Sequence, residues 1–216
     1  MENLHRSEPR DIVIVHGAPG AGKGTMSQQF ALENNDARHI SAGDTIRSIL
    51  AGHVESRYVD QMKDLAKQKI LMPGYMSADV MLDAVNLDET GSIYLFDGFP
   101  QRKSELDALL HRAQVERVRL RGAICLEVSQ TVSIERMESR GLRSGEGLAG
   151  NQDTASYYRQ RYESFMEYYG TIKAQIAEVM DVIELDADEP KSTVYRNFSE
   201  AILKTATPTS SDEVYK

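Results

Sequence analysis

The chain has 216 residues, 41% apolar and 27% charged, with 33 acidic against 25 basic side chains and a formal net charge of −8. That length supports one good core with small insertions, and the acidic balance argues against non-specific binding to nucleic acid or to an anionic membrane surface. No apolar run reaches the roughly 20 residues needed to span a bilayer, so the expected partners are small molecules, and a polyanionic one must be held by a local cluster of Lys and Arg.

Residues 1–10 carry two glutamates and no apolar core, which reads as an N-terminal tail and not as a secretory signal. The stretch IVIVHGAPGAGKGT, residues 12–25, begins with four β-branched residues, passes through a glycine-rich turn and continues with helical apolar spacing. It is therefore strand, loop, helix, and the loop spells Gly17-x-x-x-x-Gly22-Lys23 with Thr25 one place later than the usual hydroxyl. Such a loop aims backbone N–H groups and a helix N-terminus at phosphate oxygens, which requires residues without Cβ wherever the backbone must come close. Gly20, Ala21, Gly22, Lys23, Gly24 and Thr25 are the candidate nucleotide-binding residues, with Lys23 bridging the outer phosphates as a point charge and Thr25 a candidate Mg²⁺ ligand. In the empty protein the Lys23 ammonium is expected to face solvent.

The first helix is predicted over 23–34, a short strand over 37–40, and a helix capped by Asp44 through residue 50. Helices at 56–69 and 77–87 follow, separated by the Leu71-Met72-Pro73-Gly74 break. Residues 92–97 (SIYLFD) read as a buried parallel strand with an acid, Asp97, at its carboxyl end, followed by Gly98-Phe99-Pro100. A helix at 104–115 precedes a strand at 122–128. Cys125 lies in that apolar run and is expected to be a buried strand residue, with no disulfide framework, as suits a reducing cytoplasm. A helix at 131–140 is expected to stop at Gly141, leaving 141–153 irregular and mobile when empty. Helices at 154–169 and 171–180, with a hinge at Gly170, a strand at 182–185, a helix at 191–205 and a solvated tail at 206–216 complete the chain. Strands alternating with helices predict an α/β fold, a five-stranded parallel sheet covered on both faces.

GAPGAGKGT, then HISAGDTIR at 39–47, then LFDGFP at 95–100, then an arginine-dotted helix and loop from 136 to 161 resemble the nucleoside monophosphate kinase family, and most of all adenylate kinases with a short lid. The resemblance spans residues 11–204. It implies a P-loop NTPase-type domain over 11–205 in which 41–76 is the acceptor-binding flap and 137–153 the lid, and reversible phosphoryl transfer from Mg-ATP to a nucleoside monophosphate. By the family pattern Arg136 resembles the arginine that stacks on the ATP base, Arg140 one that grips phosphate, and Arg161 the helix arginine that reaches the transferring group. Arg47 resembles the acceptor-phosphate arginine, and Asp97 the acid that orients Mg²⁺, directly or through water. Lys23, Asp97, Arg140 and Arg161 thus form the implied catalytic set; Ala42, Arg47, Gly98, Arg102 and Glu105 are the implied acceptor residues. An isolated monomer in the cytoplasm is expected.

Residue chemistry agrees. An acceptor phosphate has a second pKa near ~6, so its oxygen is already an anion at neutral pH and no general base is needed. The site must instead supply positive charge, alignment and dryness.

The chain also departs from the family. The usual DGFPR reads DGFPQ here, with Gln101 after Pro100 and Arg102 next, so either Arg102 substitutes or the acceptor phosphate has lost a clamp. The lid reads Arg143-Ser144-Gly145-Glu146 and then Gln152-Asp153 in place of Ser-Gly-Arg and paired aspartates, and it has no cysteines for zinc. Family adenylate kinases generally carry a glutamine where this chain has Glu105, and threonine where it has Ala42. An ionised carboxylate only accepts, so it faces the lone pair of adenine N1 badly. AMP is the favoured acceptor on the overall resemblance, with CMP or UMP next and GMP after; Glu105 facing solvent, and a nucleotide-binding regulatory protein without turnover, are the alternatives.

Overall fold

A computed structural model describes residues 10–88, 90–116, 118–144 and 154–206. In chain order the elements are β1 (Arg10–Gly17), α1 (Lys23–Glu33), β2 (Ala37–Ser41), α2 (Ala42–Leu50), α3 (Val59–Gln68), α4 (Gly74–Leu87), β3 (Ile93–Asp97), α5 (Lys103–Glu116), β4 (Val118–Glu127), α6 (Gln130–Ser144), α7 (Thr154–Ala177), β5 (Val182–Asp186) and α8 (Lys191–Ala206). The strands form one parallel sheet in the order β2-β3-β1-β4-β5.

β1 lies in the middle of this sheet and is buried on both faces, which is why its sequence is a continuous apolar run and not an alternation. Its pleat still sorts the side chains. Ile12 and Ile14 pack with Tyr94, Phe96 and the buried sides of α4, α5 and α7; Val13 and Val15 pack with Leu95, Ile124, Leu126 and the helices α1 and α8. The doubly wound architecture is as the sequence predicts. Cys125 is fully buried in β4, and desolvation pushes its thiol up to about 11. A third, smaller cluster of Ile49, Met62, Met76 and Val80 gives the α2–α4 region its own apolar centre.

Register then places the loops. Val15 of β1 and Ser41 of β2 both pair with Asp97 of β3, and Gly17 pairs with Leu126 of β4, so the carboxyl ends of four strands finish level. In open parallel sheets that edge is where ligands bind.

Several element boundaries differ from expectation. α7 is one helix of 24 residues, and Gly170 is no hinge. Glycine in a helix costs about 1 kcal/mol, whereas Phe165, Tyr169, Ile172 and Ile176 are all buried along this helix, each contributing ~1.5–3 kcal/mol. α6 runs past Gly141 to Ser144, with Tyr158 of α7 packed against the glycine so closely that a Cβ there would clash with its hydroxyl. Of the predicted lid 137–153, residues 137–144 belong to α6 and 145–153 lie outside the described residues, as do 1–9 and 207–216. α2 is capped by Ser41, whose Oγ accepts the Asp44 N–H; Asp44 stands in the first turn, favourable to the helix dipole, and is not the cap. β4 begins four residues before the predicted strand. Its start, Val118-Arg119-Leu120-Arg121, reads as polar, yet Arg119 grips the Asp11 carboxylate on β1 with two hydrogen bonds of 2.6 and 3.0 Å.

Candidate active site

The glycine-rich loop leaves β1 at Gly17 and enters α1 at Lys23. Gly20 has φ +81, and a Cβ there would lie 2.5 Å from the Ser133 carbonyl oxygen, so both its backbone conformation and its packing against α6 demand glycine. Ser133 also braces the loop from the other side, its buried hydroxyl donating to the Pro19 carbonyl at 2.6 Å. Gly22 caps α1 in the left-handed region, accepting the Met26 N–H at 2.9 Å, and Ala21 is buried beneath the loop. Lys23 does not face solvent. Its Nζ donates to the Gly17 and Ala18 carbonyls at 2.8 and 3.2 Å, because a desolvated ammonium takes the nearest acceptors and those belong to its own loop. Burial is the main cause that lowers its pKa; Asp97 opposes the shift, while the nearby Arg161 and Arg140 add to it.

Asp97 sits at the end of β3, against the start of α1. Its Oδ2 accepts from His39 Nε2 at 3.2 Å and lies 3.3 Å from where a Cβ on Gly24 would stand. The glycine between Lys23 and Thr25 is what lets this carboxylate approach the helix N-terminus. Thr25, one residue on, is exposed. Asp97 of β3 and the exposed Arg140 of α6 and Arg161 of α7 thus stand close enough to Lys23 of α1 for their charges to act on it. Arg136 lies one turn before Arg140 on α6 and is half-buried; it is not among the charges acting on Lys23. The side chain of Arg143 lies outside the described residues.

On the opposite side, α2 and α5 supply the other predicted residues. Ala42 opens α2, half-buried, and Arg47 on the same helix is exposed and turned back to Asp44, Nη2 to Oδ1 2.5 Å. Gly98 takes φ +74 where the chain reverses after β3, and its N–H donates to the Val15 carbonyl at 3.3 Å. Gln101 is exposed and closes on the Gly98 carbonyl at 2.9 Å. Arg102 is not turned to the phosphate cluster: Nη2 donates to the Met72 carbonyl at 2.9 Å and to Glu105 Oε1. Nor does Glu105 face solvent. It is 6% exposed, with Oε2 accepting the Gln101 N–H at 2.8 Å. A buried carboxylate survives because it is paired and hydrogen-bonded. Arg102 and Glu105 thus form one donor-and-acceptor unit at the root of α5.

One site residue escapes sequence reasoning. His16, the last side chain before the loop, is 1% exposed and has both ring nitrogens engaged, Nδ1 accepting the Gly17 N–H at 3.1 Å and Nε2 at 3.0 Å from the Pro100 carbonyl. Its pKa is lowered to about 4, first by burial and then by the Lys23 charge. The only sequence signal is a histidine interrupting an apolar strand, which points equally to a core position.

Among the described residues no helix is long and apolar enough to cross a membrane. A family model of adenylate kinase matches residues 15–187. The chain is 30% identical to an adenylate kinase of Corynebacterium aurimucosum over 75% of its own length and 90% of the relative's. It is 27% identical to an adenylate kinase of Clostridium acetobutylicum over 94% and 95% of the two chains. It is also 25% identical to a uridylate kinase of Saccharomyces cerevisiae over 88% and 90%. With a glycine-rich loop between β1 and α1, an aspartate at the carboxyl end of β3, and a family match across most of its length, this chain belongs to the adenylate kinase family of nucleoside monophosphate kinases.

Proposed function

We propose that the protein transfers the terminal phosphoryl group of Mg-ATP to AMP, reversibly, yielding two ADP. The convergence of Lys23, Arg140 and Arg161 on the Asp97 side of the P-loop supports the donor half of this reading. Three cations offset the repulsion between two polyphosphates, and the developing charge on the equatorial oxygens is what they stabilise. Arg136 lies toward the ATP base, and Arg47, once released from Asp44, takes the acceptor phosphate at the mouth formed by Ala42 and Gly98. The donor set fits magnesium, a hard cation that takes a carboxylate, a hydroxyl or water: the Asp97 carboxylate reaches the first turn of α1 at Gly24, the residue before Thr25. The ion would neutralise phosphate charge there. Residues 41–76 serve as the acceptor flap and 137–153 as the lid. Action as a monomer and a cytoplasmic location rest on the sequence alone.

Acceptor choice is carried by the Arg102 and Glu105 unit. Alone, Glu105 would set a lone pair against adenine N1. Beside it, the guanidinium offers N–H groups, with Nη1 and Nε uncommitted among the described residues, so the unit as a whole donates to N1 and accepts from the exocyclic amine. That restores what a glutamine amide provides. Cytosine presents the same donor and acceptor order, and the similarity to a uridylate kinase favours pyrimidine acceptors as the second reading.

The test is a panel of AMP, CMP, UMP and GMP as acceptors with ATP as donor, followed by ADP formation. AMP is expected to give the highest kcat/KM, and Arg102→Met to lower it by about tenfold or more, a loss of ~1.4 kcal/mol. Another acceptor exceeding AMP more than tenfold would overturn the assignment.

A further inference from the structure

We propose that His16 is a positioning residue for phosphoryl transfer: its ring ties the P-loop to the 97–100 turn and so sets the spacing between donor and acceptor. The proposal rests on the assignment above of the P-loop to the donor and that turn to the acceptor, and is independent of which base the acceptor carries.

β1 and β3 run side by side and in register up to Val15 and Asp97, where the ladder ends. Beyond that point the two chains diverge into the two halves of the site. Among the described residues two links cross the gap. One is the Gly98 N–H donating to the Val15 carbonyl at 3.3 Å, a long contact, and the other is the His16 ring. A backbone N–H can only donate and a carbonyl can only accept, so the partners dictate the tautomer: Nδ1 takes the Gly17 N–H at 3.1 Å, and the proton sits on Nε2 and is given to the Pro100 carbonyl at 3.0 Å. One rigid ring thus spans from the first residue of the donor loop to the last carbonyl of the acceptor turn.

The ring is held in place as well as bonded. Tyr169 of α7 stacks on it with centroids 5.4 Å apart and planes at 22°, and Phe165 lies 5.8 Å away. Tyr169 is anchored in turn, its hydroxyl donating to Glu127 at 2.7 Å, where Lys173 also donates at 2.8 Å. The same helix carries Arg161 one turn before Phe165, so donor loop, acceptor turn and catalytic helix share this imidazole as a common spacer. Burial and the Lys23 charge on α1 outweigh the opposing carboxylates of Asp97 on β3 and Glu127 on β4, which leaves the ring neutral at working pH and so in one tautomer. Leucine would fill the same space but would leave the Gly17 N–H and the Pro100 carbonyl without the ring that joins them. Reacting atoms must come within ~3–3.5 Å, and a displacement near 1 Å costs about a hundredfold in rate.

Steady-state kinetics on wild type, His16→Leu and His16→Gln, using the best acceptor of the wild type, tests this. His16→Leu should lose about 10- to 100-fold in kcat while both KM values stay within about threefold. His16→Gln, which can accept at Oε1 and donate at Nε2, should recover to within about fivefold of wild type. The proposal is overturned if His16→Leu keeps more than half of kcat, if its loss lies in KM alone, or if the glutamine rescues nothing while folding normally. Should His16→Leu not fold, ¹⁵N spectra of the wild-type ring decide: a single Nε2-protonated neutral tautomer whose signals move when a non-hydrolysable ATP analogue binds is expected. Averaged tautomers, or a ring signal indifferent to nucleotide, refute it. A wild type inactive on every acceptor instead sinks the functional assignment.

Discussion

Replacing Lys23 by methionine separates its resting contacts from its work in the transition state. Nζ makes two hydrogen bonds, to the Gly17 and Ala18 carbonyls at 2.8 and 3.2 Å. Charge-assisted bonds of this kind are worth about 1.5–3 kcal/mol each when fully buried. Lys23 is half-buried, and its ammonium stands near Arg140 and Arg161 in surroundings that disfavour its charge. Removal therefore gives up two bonds and relieves a desolvated, like-charge contact. The two nearly offset, and a net cost of about 1 kcal/mol corresponds to a fall in Tm of roughly 2–4 °C for a chain this size. The transition state has no such offset. On the proposed function the ammonium is expected to move there from carbonyls to phosphoryl oxygens carrying new charge, and losing one preorganised donor should cost ~2.7–4 kcal/mol, about 10²–10³ in kcat. Thermal melting and a coupled assay of ADP formation at saturating ATP and acceptor read the two effects. A kcat loss under about tenfold, or a loss confined to KM, would refute the reasoning.

Gly170→Ala tests whether α7 is one helix: no atom lies within 4 Å of the position of a Cβ there, so the substitution should raise Tm by about 2–4 °C with kcat unchanged, and a fall in either would restore the hinge. His16 makes stability depend on pH. Its folded pKa of about 4 lies below the ordinary 6.5, so between those values the unfolded chain binds the extra proton and stability falls as pH drops, fully present above 6.5. Urea unfolding should show wild type losing about 2 kcal/mol more than His16→Gln between pH 7 and pH 5, and equal losses would contradict it.

Much of this molecule is legible in the sequence because the physics that decides it is local. A glycine-rich turn between an apolar strand and a helix points to close approach of the backbone to a ligand, and the structure adds that Gly20 is squeezed against Ser133 and that Lys23 turns back onto the loop carbonyls. The acid at the end of SIYLFD follows from an apolar run ending in a charge, and Asp97 stands at the sheet edge as expected. Cys125 is buried because its neighbours are apolar. Where long-range contacts decide, sequence reasoning stops. Gly170 and Gly141 look like helix breakers, yet both lie within helices: α7 is buried along one side on either side of Gly170, and Tyr158 packs where a Cβ on Gly141 would stand. In the sequence Arg102 leaves open whether it replaces the missing phosphate clamp, and the fold then gives its guanidinium to Glu105 three residues on and to the Met72 carbonyl thirty residues back. His16 is one histidine in an apolar strand until the fold brings Pro100 to its other nitrogen, 84 positions away. Local pattern selects strand, loop and helix, because backbone conformation answers to nearest neighbours. Which polar atom meets which is decided by tertiary packing, because a buried donor must find its acceptor wherever the chain has placed one.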